Sequence, residues 1–235
     1  MTERNVADEL PRLMLLSGLA ADERIFVAQK LAFPQLSVPQ WLAPFKNEPL
    51  DDYAKRLASE IGPGPCVIGG ASFGGIVAMH LARHLNPEAV ILIGSVRSPS
   101  ELPMYARLAR PLRCLTLWLP VRAMQWAMKP LLCGPLRTAM PFVHGLLSQF
   151  LQSDPAVFRW SLHQILNWKS APACSCPIYH IHGARDWVMP AKNTVPDKIV
   201  PGAGHVLSLT HPHEVNEFIR FVMKRTKLSC NPSSH

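Results

Sequence analysis

The sequence predicts an α/β protein whose mainly parallel sheet carries helices on both faces and is interrupted by a helical insertion. Short, wholly apolar runs such as Cys66–Gly70 and Ala89–Ile93 read as strands buried on both faces. Amphipathic segments of helical period separate them. Between Arg97 and Ser170 this rhythm stops, and prolines at 99, 103, 111, 120, 130, 135, 141 and 155 break a Leu-, Met- and Trp-rich stretch into short helices.

In order, Leu13–Leu16 is the first apolar strand, closed by Ser17-Gly18. Asp22–Leu31 has a helical pattern. Leu36–Val38 is a second strand, kept short by Pro39. Leu50–Ile61 forms a helix: Asp51 and Asp52 suit its positive end, Tyr53, Leu57 and Ile61 form a stripe, and Gly62-Pro63-Gly64-Pro65 stops it. The Cys66–Gly70 strand leads into Ala71-Ser72-Phe73-Gly74 and a helix from about Gly75 to Leu85. Ala89–Ile93 is the fourth strand. After the insertion come Ile178–His182, the short strand Asp197–Val200 and a helix from Pro212 to Lys224. The expected division is a core of residues 1–96 and 171–227, a helical cap of 97–170 and a loose tail of 228–235.

Of the 235 residues, 48% are hydrophobic and 17% charged, enough apolar surface for one substantial core. No apolar run is long enough for a transmembrane segment, and the polar start is unlike a signal peptide, so a cytoplasmic location is expected. The six cysteines are scattered. Cys174 and Cys176 form C-x-C without a second pair at ligand spacing, which argues against a metal site. Nine basic residues between Arg97 and Lys169 face only Glu101 and Asp154, so +7 of the overall +8 lies in the insertion. Leucines and prolines interleave these bases, a pattern unlike nucleic-acid modules.

Gly70-Ala71-Ser72-Phe73-Gly74 matches G-x-S-x-G between a strand and a helix. A serine at such a turn has a strained backbone and an exposed hydroxyl, which suits Ser72 to be a nucleophile. The hydroxyl then needs a base. Of ten histidines, His205 follows Gly202-Ala203-Gly204 after the last strand, at the carboxyl edge where ligands bind in open sheets. His80 and His84 lie farther along the helix after Ser72, and His180 and His182 read as packing residues within a strand. Asp186, in the loop after the fifth strand, suits the acid that orients His205. The Phe73 N–H and the Leu19 N–H, from the loop after the first strand, are the candidate oxyanion donors.

Together these segments resemble the α/β-hydrolase family, in particular its small cap-bearing, esterase-like members. The resemblance runs from Leu13 to Val222, through Leu15–Gly18, the elbow Gly70–Gly75, the acid loop His182–Pro190 and the histidine loop Gly202–His205. Three positions depart from the family. Ser17 stands where a histidine is usual, so a different hydrogen bond should hold that loop. Pro44–Asn47 replaces a glycine-rich segment, and the opening antiparallel hairpin is expected to be missing. The resemblance implies acyl transfer from a small-molecule ester through an acyl-enzyme, with no cofactor and no metal.

The apolar cap makes Trp118, Trp126, Phe142, Leu146, Leu147 and Phe150 candidates to line a pocket for an apolar acyl or alkyl group. Its basic charge suggests an anionic carrier, such as an acyl carrier protein or a CoA ester, or an acidic lipid surface. A non-catalytic binding protein and a serine-dependent C–C hydrolase or lyase of the same fold remain alternatives.

Overall fold

The structure is a computed structural model and describes residues 11–132 and 136–230, the side chains of 136–137 and 227–230 excepted. The polar start before Pro11 and the part of the expected tail at 231–235 lie outside the described residues.

Six parallel strands form one sheet in the order β2-β1-β3-β4-β5-β6. They are β1 (Arg12–Leu16), β2 (Leu36–Ser37), β3 (Cys66–Ala71), β4 (Ala89–Ile93), β5 (Ile178–Gly183) and β6 (Lys198–Val200). Between β1 and β2 lie a 3-10 turn (Glu23–Phe26) and α1 (Val27–Ala32); α2 (Leu50–Ile61) precedes β3 and α3 (Phe73–Leu85) follows it. The insertion between β4 and β5 contains α4 (Met104–Leu108), a 3-10 helix (Arg110–Trp118), α5 (Val121–Met128), a second 3-10 turn (Lys129–Leu132), α6 (Leu136–Ala139), α7 (Pro141–Gln152) and α8 (Pro155–Asn167). After β6 come α9 (Leu207–Thr210) and α10 (Pro212–Cys230).

The period-2 geometry of the strands splits the core in two. Met14, Leu16, Ile68, Val90 and Leu92 pack with α2, α3, Trp160 and Trp168 on one face. Leu13, Leu15, Val67, Ile91 and Ile93 pack with Phe26, Phe33 and the apolar side of α10 on the other. Burial on both faces is why these strands read as continuous apolar runs.

The order reverses at β1: the chain leaves it outward to β2, then returns to β3 on its other side. The loops after β1 and β3 therefore diverge and leave a crevice at the carboxyl edge.

Several boundaries differ from the sequence reading, two of them for evident physical reasons. The segment expected as one helix from Asp22 starts as a 3-10 turn, because the Asp22 carboxylate accepts from the Arg24 N–H and holds the first turn tight. The expected tail from residue 228 begins too early, since α10 runs to Cys230. No proline or glycine interrupts it before Pro232, and a helix usually ends just before a proline.

Candidate functional site

β3 ends at Ala71, and Ser72 turns the chain into α3 with φ 51° and ψ −121°, a left-handed conformation costly for a residue with a Cβ. Three hydrogen bonds hold it there. The Ser72 N–H donates to the Ile93 carbonyl (3.1 Å), the Ser95 hydroxyl to the Ser72 carbonyl (2.7 Å), and the Gly75 N–H to that same carbonyl (3.0 Å). The turn also requires small neighbours. A Cβ at Gly70 would collide with the backbone of Gly74, and one at Gly74 with the Leu16 and Ser17 carbonyls.

The loops after β5 and β6 reach the same edge. Asp186 is buried, and its Oδ1 accepts the N–H groups of Val188 (2.9 Å) and Met189 (2.8 Å). Its Oδ2 lies 2.8 Å from His205 Nδ1, and His205 Nε2 lies 3.0 Å from Ser72 Oγ. An ionised carboxylate only accepts, so His205 Nδ1 carries the proton and Nε2 is left to accept from the Ser72 hydroxyl. The structure thus places Ser72, His205 and Asp186 in one hydrogen-bonded line.

A fourth side chain belongs to this line and was missed in the sequence. His182, fully buried in β5, has Nε2 2.6 Å from the Met189 carbonyl and 3.2 Å from Asp186 Oδ2. Its Nε2 proton faces both acceptors, which leaves Nδ1 to accept from His180 Nε2 at 2.9 Å. Burial alone would raise the Asp186 carboxyl. The hydrogen bonds from His182, His205 and the Met189 amide outweigh it and hold the group well below the usual carboxylate range. Burial, with His182 and Arg97 nearby, drives His180 down to about 3, so it is neutral at ordinary pH. The H-x-H spacing places 180 and 182 on one side of the strand. It gives no sign that the following loop folds back onto them.

The loop after β1 borders Ser72: a Cβ at Gly18 would lie 3.4 Å from that of Ser72. The Ser17 hydroxyl holds this loop by donating to the Ala21 carbonyl (2.9 Å) and accepting from Trp41 Nε1 (2.8 Å). Neither the Leu19 N–H nor the Phe73 N–H has an acceptor among the described residues.

Beside Ser72 and His205 is a cavity of about 270 Å³, lined also by Leu19, Ile25, Leu146 and Phe150. α7 supplies the last two. It is tied down by Gln149, whose Oε1 accepts from the Asp22 N–H (3.0 Å), and by Gln152, which accepts from Arg24 (3.0 Å). On the other side of the insertion, Tyr105 donates to the Val188 carbonyl in the acid loop (2.6 Å).

Four of the six expected pocket residues do not line this cavity. Trp118 and Trp126 are 84% and 74% exposed, and Phe142 is also exposed. α5 turns Val121 and Gln125 inward, which sends Trp126 out. In the 3-10 helix, Thr116 takes the buried face and Trp118 the open one. Phe142 sits at the start of α7, one turn before the part that reaches Ser72. Leu147 does not line the cavity.

A model of the alpha/beta hydrolase family matches residues 16–218. Among solved structures, a thermophilic esterase from Thermogutta terrifontis with malate bound is similar at 21% identity and a TM-score of 0.68, over 92% of this chain and 90% of that one. An enol-lactonase from Burkholderia xenovorans is similar at 16% identity and a TM-score of 0.67, over 94% of each chain. The esterase RhEst1 from a Rhodococcus species is similar at 19% identity and a TM-score of 0.61, over 90% of each chain. No curated protein matches the chain.

Proposed function

Since the chain belongs to the alpha/beta hydrolase family, we propose that it is a serine hydrolase that cleaves small-molecule carboxylic esters through an acyl-enzyme. The observation that carries this reading is the line of contacts from Ser72 Oγ through His205 to Asp186, at 3.0 and 2.8 Å, on a strained serine turn beside a cavity. His205 Nε2 takes the Ser72 proton as Oγ attacks the ester carbonyl. Asp186 stabilises the imidazolium that forms and remains ionised. The N–H groups of Leu19 and Phe73, without an acceptor among the described residues, receive the oxyanion, aided by the positive end of α3. The imidazolium then protonates the leaving alkoxide. Water activated by His205 attacks the acyl-enzyme, and the acid leaves. The residues named supply nucleophile, base and oxyanion donors, so the sequence of steps calls on no cofactor.

Leu146, Phe150 and Ile25 give the cavity an apolar wall, which favours an apolar acyl or alkyl group of modest size. The helical insertion acts as a cap, because α7 both closes the cavity and is hydrogen-bonded to the loop after β1.

A fluorophosphonate probe tests the reading. The wild type is labelled at one serine and turns over p-nitrophenyl esters, and Ser72→Ala abolishes both. Labelling that survives in Ser72→Ala, or a wild type that neither labels nor hydrolyses any ester in a graded series, refutes the assignment.

A further inference from the structure

The insertion carries an exposed face that the proposed hydrolysis does not use. From Leu102 to Ser153 the chain has six Arg or Lys residues and not one Asp or Glu. Its 3-10 helix, Arg110–Trp118, repeats every three residues, so positions 112, 115 and 118 eclipse along one side. Those positions are Leu112, Leu115 and Trp118, exposed by 57%, 61% and 84%. The side in register with Arg110, Arg113 and Thr116 faces the protein: Thr116 is buried, and Arg110 donates to the Trp168 carbonyl.

α5 repeats the arrangement with helical period. Val121 and Gln125 are buried, whereas positions 122, 126 and 129 share the opposite side. They hold Arg122, the 74% exposed Trp126 and Lys129, an indole between two cations. Neither cation forms an ion pair among the described residues.

A soluble surface rarely sets large apolar side chains in register along two consecutive helices. Tryptophan and leucine with unpaired Arg and Lys are the composition of segments that lie in a membrane interface. There the indoles occupy the headgroup boundary, and the cations meet anionic lipid while their stems lie along apolar chains. No helix of the described residues is long and apolar enough to cross a membrane, so such contact is superficial.

We infer that the exposed sides of the Arg110–Trp118 helix and of α5 dock on an anionic lipid surface. Leu112, Leu115, Trp118 and Trp126 enter the interface, and Arg122 and Lys129 pair with lipid phosphates. This inference stands apart from the serine-hydrolase reading and survives if that reading fails.

Flotation of the full chain with vesicles provides the test. Vesicles of phosphatidylcholine with about a third phosphatidylglycerol should bind at least about ten-fold more tightly than phosphatidylcholine alone, and added salt should weaken the binding. Arg122→Gln/Lys129→Gln should weaken it about 25-fold, at about five-fold per basic residue. Trp118→Ser/Trp126→Ser should weaken it at least about ten-fold. The circular dichroism spectra of both variants should match the wild type, since all four side chains are exposed.

Equal binding to neutral and anionic vesicles, or none to either, overturns the inference. Loss in the charge variant with full binding by the tryptophan variant also overturns it, because that pattern means a purely electrostatic contact such as an acidic carrier protein would make. So does sedimentation velocity showing a concentration-dependent dimer that the tryptophan variant abolishes, since a second copy of the chain would then cover the face.

Discussion

At the scale of single residues, Asp186 is held on more sides than orientation of one imidazole requires. Two backbone amides fix Oδ1, and His182 shares Oδ2 with His205. Losing a hydrogen bond to a charged group costs about 1.5–3 kcal/mol when the carboxylate stays buried. His182→Ala should therefore lower kcat roughly ten-fold or more with KM nearly unchanged. His182→Gln, which restores a donor of similar reach, should recover part of the loss. Steady-state kinetics on a p-nitrophenyl ester decides this, and equal kcat for wild type and His182→Ala would refute the role. Ser72, His205 and Asp186 could be picked out in the sequence because each follows a recognisable strand and sits in a glycine-flanked loop. His182 could not. It looks like any strand residue until the loop after β5 closes on it.

At the scale of elements, the proposed chemistry depends on how three segments meet: the turn into α3, the loop after β1 and α7. Gly74 is the contact between the first two. A methyl group there would strike the Leu16 and Ser17 carbonyls, both backbone and neither free to rotate away. Gly74→Ala should displace the loop carrying Leu19, cutting kcat/KM about ten-fold or more through the oxyanion donor, as removal of one such donor does elsewhere. Unchanged kinetics in this variant would show that the loop is not part of the site. For α7, Leu146→Trp should fill much of a cavity of about 270 Å³. Activity on longer acyl esters should then fall more than on acetate, as read from kcat/KM across a chain-length series. Uniform loss across the series would mean the acyl group binds elsewhere.

The core strands were readable at this scale because burial on both faces leaves a composition signal. The faces of the insertion helices were not. The inward side of α5 includes Gln125, a polar residue at a buried position, where it donates to the Phe150 and Ser153 carbonyls and completes the end of α7. Hydropathy counts that residue as outward and Trp126 as inward, the reverse of what the packing does.

For the molecule as a whole, the buried groups around the site make folding stability depend on pH. His180 has its proton affinity driven down to about 3 by burial, whereas an unfolded histidine takes a proton near 6.5. Between those values the unfolded chain binds a proton that the folded chain refuses, so acid favours unfolding. This contribution is complete above about pH 6.5 and is lost at about 1.4 kcal/mol per pH unit as pH falls toward 3. His80, lowered chiefly by burial, acts in the same direction. Asp186 adds a second, lower window. Its carboxyl titrates below the unfolded value, so its stabilisation is present above about pH 4 and is withdrawn as pH drops further. Urea unfolding should accordingly give a midpoint that falls steadily from about pH 6.5 to about pH 4. Ring NMR of the folded protein at about pH 5 should still find His180 neutral. A midpoint that does not move over that range, or a protonated His180 ring at pH 5, would mean that the imidazole at 180 is solvated and that β5 does not back the acid loop as packed here.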